Sequence, residues 1–494
     1  MAKTRRNKVV ESEKIRSSRL EFSQNSKETS ELRFSSIAVS SVINGDLRFD
    51  ASAHDLSRRK SNKTGQSYKL DFKKLSELVK ADGIFYPTRF KRVYVSSTTP
   101  DAIGFLGSSE MLDMLPKPTK FLSPKDTEVE ELRVFPEDIL LSRSGTIGNT
   151  TFVNNTLASY LISEHSIRIR CIKNPGYIYA FLRSSIGQKQ ISLKVFGAVV
   201  DQIEPEHISD LLVPILDVKI SNKIDSLIKS SFILRDKSNS LMLEAEKFLI
   251  SELHLPPIDK IKTDYLINSN DIQSFSVKLS NVNCRLDASF HTPIVNSISK
   301  HLNSLNHVSI KDLQDTHVVK NIILPGRFKR VYVKKDQGVV FFGGKQLNEL
   351  DPVNKKYLSI SQHNKRISDE LTLRENMILV TCSGTIGKVN IVPKHWDGWT
   401  ANQHIMRIVP SDVSISGYIF CWLNTVYGAL LIKRFIYGSV IDEINEDHLK
   451  KVLIPIIQKA KIDHINNLIL DANKIRYEAY LKERQALELF EDNI

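Results

Sequence analysis

A chain of 494 residues is long enough for two to four domains, and 41% hydrophobic with 25% charged residues is the makeup of an ordinary soluble globular protein. The net charge of +13 favours a polyanionic partner, nucleic acid before a membrane surface, because no Lys/Arg cluster sits beside an apolar anchor. Cys171, Cys284, Cys382 and Cys421 lack C-x-x-C spacing and finger-spaced histidines. Zinc and a disulfide framework are therefore not expected; with no secretory signal or membrane-length apolar run, a reducing cytoplasmic location is.

In chain order, residues 1–35 read as a polar arm, and a first globular unit covers 36–217. Within it the basic run Ser57–Lys63 reads as a solvated loop, and Asp71 to Ala81 shows helical spacing through Leu75, Leu78 and Val79. Arg89-Phe90-Lys91-Arg92-Val93-Tyr94-Val95 reads as a strand with Phe90, Arg92 and Tyr94 on one face. Further strands are expected at Ile139–Ser142, Ser166–Arg170 and Leu212–Ile215, with a helix opened after Pro175-Gly176. Over 218–255, apolar residues recur at three- and four-residue steps from Ile224 to Leu249, which predicts one long amphipathic helix stopped by Pro256-Pro257. A second unit spans 256–456, and a second long helix spans 457–494.

The chain repeats itself. Arg89–Val95 returns unchanged as Arg327–Val333, and Ser144-Gly145-Thr146-Ile147-Gly148 as Ser383-Gly384-Thr385-Ile386-Gly387. Arg48-Phe49-Asp50-Ala51 matches Arg285-Leu286-Asp287-Ala288, and Gly197–Ile203 matches Gly438–Ile444. Ile224, Leu227 and Ile228 have counterparts in Ile465, Leu468 and Ile469, so the helices belong to the repeat. A helix this long cannot bury its stripe on one unit alone. The two are expected to pack antiparallel, with the units at opposite ends and related by an approximate two-fold axis. Paired sites at a fixed separation suit the two half-sites of a duplex.

Arg89, Lys91, Arg92 and Tyr94, with Arg327, Lys329, Arg330 and Tyr332, alternate cations and aromatics as backbone phosphates require; edge protection is the competing reading. Ser144 and Thr146, and Ser383, Thr385 and Lys388, lie in a glycine turn that lacks nucleotide-loop spacing. Such a turn could offer hydroxyls and amides to a phosphate, but glycine's access to positive φ accounts for it by itself. Asp201 and Asp442, with His207 and His448, have no partner acid or nucleophile motif, and capping is the better reading. Trp396 and Trp399 fit a core or a reading loop, and this stays open. No Asn-Pro-Pro-aromatic motif or convincing nuclease acid pair occurs, so binding rather than chemistry is expected. Base readers should lie where the copies diverge: 108–131 against 345–370, which includes Lys345, Gln346, Asn348, Gln362, His363, Asn364 and Lys365, and 154–160 against 394–400. Surface loops also diverge simply because they are free to.

From about Phe34 onward, the ordered series resembles the specificity (S) subunit of type I restriction–modification systems. It is carried by the two Arg-x-Asp-Ala openings, Ile139-Leu140 and Ile378-Leu379-Val380 before the two glycine turns, the Gly-x-Val-x-Asp-x-Ile segments and the long helices. The resemblance implies an α+β chain of two tandem target-recognition domains, each mixed α/β and each followed by a long helix of an antiparallel coiled-coil spacer. It implies a non-catalytic subunit that reads a bipartite double-stranded DNA target and docks two methyltransferase subunits and restriction/translocase subunits. S-adenosylmethionine, ATP and magnesium then belong to those partners. The arm before Phe34 is longer than the family plan needs. Other readings are a related phage-defence or stand-alone adenine methyltransferase complex, a duplicated enzyme with a hidden site, and a duplicated protein-binding scaffold.

Overall fold

With neither Gly nor Pro between Val218 and Pro256, nothing interrupts helix propagation there, and a helix runs over Val218–Glu252 in the computed structural model. The Asp217 carboxylate caps its start by accepting from the Lys219 amide at 2.8 Å, and the helix stops before the diproline. The second copy yields Lys459–Glu491. The structure describes Val39 and residues 70–89, 91–195, 202–268, 272–282, 284–353 and 355–494. The polar arm, the Ser57–Lys63 run, Arg48–Ala51, Phe90 and Gly197–Asp201 lie outside the described residues. Residues 65–494 form one compact unit; of residues 1–64 only Val39, helical and exposed, is described.

The helices run antiparallel. Ser231 donates its hydroxyl to the Ala479 carbonyl at 2.8 Å, and Ser238 donates to the Ala472 carbonyl at 2.9 Å. By the repeat, Ala472 is the counterpart of Ser231 and Ala479 that of Ser238, so each position meets the other copy's partner position. The middle of the seam is therefore small and polar, bridged by Ser231, Ser238 and the Arg235–Glu483 ion pair rather than by the apolar stripe expected. The apolar stripes go to the flanking cores. One core packs Tyr177, Tyr179 and Phe181 against Ile224, Ile228 and Phe232 and against Ala486 and Phe490. The other packs Tyr418 and Trp422 against Met242, Ala245 and Leu249 and against Ile462, Ile465 and Ile469. Each core thus grips the head of one helix and the tail of the other, and burial of several large apolar side chains at about 1.5–3 kcal/mol each holds each junction.

Three sheets recur in both halves. Asp71–Lys74 pairs antiparallel with Leu212–Ile215, as Ser309–Asp312 pairs with Leu453–Ile456. A four-stranded sheet ordered Val79–Phe85, Ser166–Cys171, Ile139–Ser142, Thr150–Phe152 has the counterpart Val319–Ile323, Ile405–Pro410, Ile378–Thr381, Val389–Ile391. A third sheet joins Tyr94–Val95, Lys120–Leu122, Ile103–Leu106 and Leu161–Ile162, matched by Lys356–Ser359, Gly338–Phe342 and Thr400–Ala401.

Two readings of local pattern are corrected. Asp71–Ala81 is not a helix: it forms a strand, a short 3-10 turn at Leu75–Glu77 and the start of another strand. Pairing with Leu212–Ile215 outweighs three apolar residues at helical spacing, and Leu75 is buried while its amide donates to the Leu211 carbonyl at 2.8 Å. Of the described residues of the repeated heptapeptide, only Tyr94–Val95 is a strand in the first copy, and Tyr332 makes an isolated bridge to Leu358 in the second. The Val93 amide donates to Thr127 Oγ1 at 3.0 Å and the Val331 amide to His363 Nε2 at 3.2 Å, so side chains take the donors a longer strand would use. Trp396 is a core residue, fully buried, with its indole N–H donating to the Leu350 carbonyl at 3.1 Å.

No single described helix is long and apolar enough to cross a membrane. The pair Val413–Asn424 and Val426–Lys433 would pass together by length and composition, but it is bent by 77° and supplies core residues.

Candidate nucleic-acid interface

The glycine turn is the same device in both halves. Gly145 and Gly148 have φ of 78° and 84°, and Gly384 and Gly387 have 76° and 82°, where an L side chain is strained. In the second copy the Gly387 amide donates to the Thr381 carbonyl at 3.1 Å and the Lys388 amide to Thr381 Oγ1 at 2.9 Å, while Thr381 donates its own proton to the Thr385 carbonyl at 2.6 Å. Ser142 makes the equivalent set with Gly148, Asn149 and Thr146. Thr146 and Thr385 are exposed at the tip, and Ser144 and Ser383 are half-buried below it.

Beside each turn lies a ladder of stacked cations and rings. The Arg92 guanidinium sits 4.8 Å over Phe105, whose ring meets Tyr94 edge-on at 6.3 Å; Lys120 lies 5.4 Å over Tyr94. In the second half Arg330 lies 5.6 Å over Phe341, Phe341 lies 6.1 Å from Tyr332, and Lys356 lies 5.3 Å over Tyr332. Such contacts orient the cations at small individual gain. Arg89, Lys91, Lys329 and both tyrosines are exposed. The inner arginine is held from beneath: Arg92 by an ion pair with Glu164, Arg330 by a 2.7 Å bond to Gln403 Oε1. The neighbouring His404 is pushed below its ordinary pKa by burial, with Arg330 and Arg327 adding to the effect. Reading the heptapeptide alone misses Glu164, Gln403, Phe105, Phe341, Lys120 and Lys356. The repeat did carry one signal, since His165 and His404 hold equivalent places beside Glu164 and Gln403.

The third component is a hairpin tip. Tyr437 and Glu443 exchange backbone bonds of 3.0 and 2.8 Å, and the Gly384 amide donates to the Asp442 carbonyl at 2.9 Å, tying the tip to the turn. Arg327 completes the cluster with a 3.1 Å ion pair to Glu443. Thus Arg327, Arg330 and Ser383 share one surface. In the first half Ser144 bridges Gln202 and its hydroxyl lies 3.1 Å from His165 Nδ1.

The other candidates divide between inward-facing and exposed positions. Lys388 lies 4.0 Å from Asp113 of the first half. Asn348 contacts the same Asp113 at 3.4 Å and accepts from the Met114 amide through its carbonyl at 2.9 Å. Lys345 is exposed and Gln346 half-buried; Gly344 just before them packs against Thr381, where the glycine turn begins. His363 is taken by the Val331 amide, leaving Gln362, Asn364 and Lys365 exposed on the same short helix. The divergent 154–160 and 394–400 loops are docked on the long helices: Asp236 accepts from the Asn155 and Thr156 amides at 3.0 and 2.9 Å, and His395 stacks on Tyr480 at 4.0 Å. His207 and His448 serve capping boxes through their Nδ1 atoms, as the sequence suggests, but the cap of the Glu446–Lys450 helix is Asn445 rather than Asp442. Among the described residues no group of three or more His, Cys, Asp and Glu is arranged to hold a metal.

Residues 326–481 match the family model for the type I restriction modification DNA specificity domain, a segment that begins at the second heptapeptide and ends within the second long helix. No curated protein matches the sequence. Among solved structures, the type I restriction–modification S subunit from M. genitalium is 10% identical, covering 86% of this chain and 94% of its own, with a TM-score of 0.31. The HsdS subunit from Thermoanaerobacter tengcongensis is 13% identical, covering 87% and 100%, with a TM-score of 0.27. A third, described as showing complex assembly and conformational transition of the type I R-M system, is 13% identical, covering 86% and 98%, with a TM-score of 0.26.

Proposed function

We propose, for a chain that carries a type I restriction modification DNA specificity domain at residues 326–481, that both halves read DNA and that the whole chain is the specificity subunit of a type I restriction–modification complex. The observation that carries this reading is the duplication of the interface. The same turn, the same cation–aromatic ladder and the same sheet order occur twice, at opposite ends of an antiparallel helix pair whose contacts are reciprocal. A reciprocal seam of this kind relates the halves by an approximate two-fold axis, and two like surfaces at a fixed separation suit a split target on one duplex. The exposed Arg89, Lys91, Arg327 and Lys329 and the hydroxyls of Ser144, Thr146, Ser383 and Thr385 contact phosphate. Base reading falls to Lys345, Gln346, Gln362, Asn364 and Lys365 and to the corresponding 108–131 segment.

On this reading the chain is non-catalytic and cytoplasmic. Two methyltransferase subunits dock on it, and restriction/translocase subunits join them; S-adenosylmethionine, ATP and magnesium act on those partners. The test begins by sequencing duplexes enriched from a randomised pool by the full chain with its co-purifying partners, which should give a bipartite motif. A four-residue insertion after Ser238 then moves one half by roughly 6 Å along the helix and turns it. Both half-site sequences should persist with a changed gap, or binding should collapse. A variant that still enriches the original motif with the original gap removes the spacer reading, and a pool with no enriched motif removes the DNA reading.

A further inference from the structure

The hairpin tip at 438–442 has the wrong surface for a phosphate contact. Val440 is 94% exposed and Ile441 is 56% exposed, neighbours in a tip that also carries the exposed Asp442 and the Glu443 carboxylate paired with Arg327. Apolar side chains so placed gain from leaving water, and a partner that covers them must present apolar area. The tip is also held firmly. Gly438 sits at φ 115°, and a Cβ there would come within 2.2 Å of the Ile441 carbonyl oxygen, so the loop turns on itself in a way only glycine permits. Below it the paired backbone bonds to Tyr437 and Gly384 fix its direction. Both side chains are β-branched and stiff at χ1, so little freedom remains to be lost on binding. By sequence the first half has a similar β-branched pair, Val199-Val200, before its own Asp201.

Beside this apolar point stand Arg327, with its side chain 78% exposed and paired to Glu443, and the glycine turn with its exposed Thr385, tied to the tip through the Gly384 amide; the exposed Lys329 lies two residues along the chain from Arg327. A partner that is anionic at its rim and apolar within, on the scale of one side chain, is a stacked duplex: phosphates outside, base faces between. We propose that Val440 and Ile441 form a wedge that enters a base step of the bound duplex while Arg327 and Lys329 hold the flanking phosphates. The proposal rests on the DNA reading above and adds a mode to it. Wedges of this type unstack one step and kink the duplex, so the sequence at that step is selected by its deformability rather than by hydrogen bonds.

The test uses the full chain with its partners and a duplex recovered from the randomised pool, carrying 2-aminopurine at successive positions. Its fluorescence should rise at one step within the half-site read by the second half. The double variant Val440→Ser with Ile441→Ser should abolish that rise and weaken binding roughly tenfold, with the slope of log affinity against log salt unchanged because no phosphate contact is lost. Lys329→Ala should do the opposite, lowering the slope by about 0.9 and keeping the fluorescence rise. The tip is solvent-exposed, so the serine variant should melt as the parent does. A bound duplex that brightens at no position, a serine variant that brightens and binds as the parent does, or one that lowers the salt slope each overturns the wedge and leaves DNA reading intact. Failure of the pool to enrich any sequence strikes the proposed function instead.

Discussion

Equivalent arginines in the two halves keep different company. In the first half the inner Arg92 is neutralised by Glu164, whose side chain is only 5% exposed; in the second, the matching Arg330 rests on the neutral amide of Gln403. The second half places its carboxylate further out, where Glu443 meets the exposed Arg327, opposite Gln202 in the first. On the helices the same thing happens in reverse order of depth. Arg235 shares buried Glu483 with Arg183 at 3.5 Å and with the Tyr179 hydroxyl at 2.7 Å, whereas among the described residues its counterpart Arg476 pairs with no acid. It donates a long 3.5 Å bond to Asn390 Oδ1, and burial pushes its pKa down to about 9. The residue matching Glu483 in the first helix is Met242. Duplication therefore preserved the positions of the cations while the acids moved, which separates what the scaffold needs from what each half can alter.

The largest expected effect breaks this comparison at the helices. Glu483→Met leaves Arg183 and Arg235 buried without their acid and should cost about 3–5 kcal/mol. Arg476→Met removes a buried charge that has no acid to lose, only a long bond to Asn390, and should be neutral or stabilising. Urea unfolding midpoints of the two variants check the pair. Equal losses would mean that Arg476 is as well compensated as Arg235.

A second comparison concerns the contact between the halves. Burial raises the Asp113 carboxyl to about 6, against the pull of Lys388 and the Asn348 amide and with Glu110 adding to the rise. It raises Glu349 to about 7, with Asp113 and Asp351 reinforcing the effect and Arg183 and Lys388 opposing it. A carboxyl with a raised folded pKa holds its proton where the unfolded chain has already lost it. Stability from both groups therefore falls as pH climbs from about 4 through 7, by about 1–3 kcal/mol for each. Asp113→Asn should flatten that fall and leave the protein relatively more stable at pH 8, as measured by melting temperature across the pH range. An unchanged pH profile would show that Asp113 is hydrated rather than sealed against the second half.

The repeat exposed the long helices and the glycine turns because each rests on a local requirement: positive φ at Gly145 and Gly384, or an unbroken stripe from Ile224 to Leu249. What stayed hidden depends on partners far along the chain. Asp71–Lys74 is a strand because Leu212–Ile215 lies beside it, and the heptapeptide gives up strand geometry because Thr127 and His363 claim its amides. The divergent loops at 154–160 and 394–400 are misleading for the same reason. Asp236 receives one and Tyr477 and Tyr480 receive the other, so their divergence is matched by divergence on the helix beneath. Variation between copies marks freedom only where nothing else has varied with it.

The smallest expected effect sharpens the comparison at the interface itself. Glu164→Gln gives the first half the amide that the second half has, so Arg92 keeps a hydrogen-bond acceptor and loses its counter-charge. Little water reaches Glu164, so its negative charge is poorly screened from a phosphate on the same face. Its removal should raise affinity for duplex DNA roughly threefold to tenfold and steepen the salt dependence. Glu443→Gln makes the matching change in the second half, but Arg327 is 78% exposed and its pair with Glu443 is open to salt. There the gain should stay under about twofold at physiological ionic strength. Binding isotherms across a salt series separate the two, since the Glu164 effect should persist at higher salt and the Glu443 effect should fade. If Glu443→Gln gives the larger gain, the inner arginines do not face DNA, and the outer arginine and the hairpin tip define the contact.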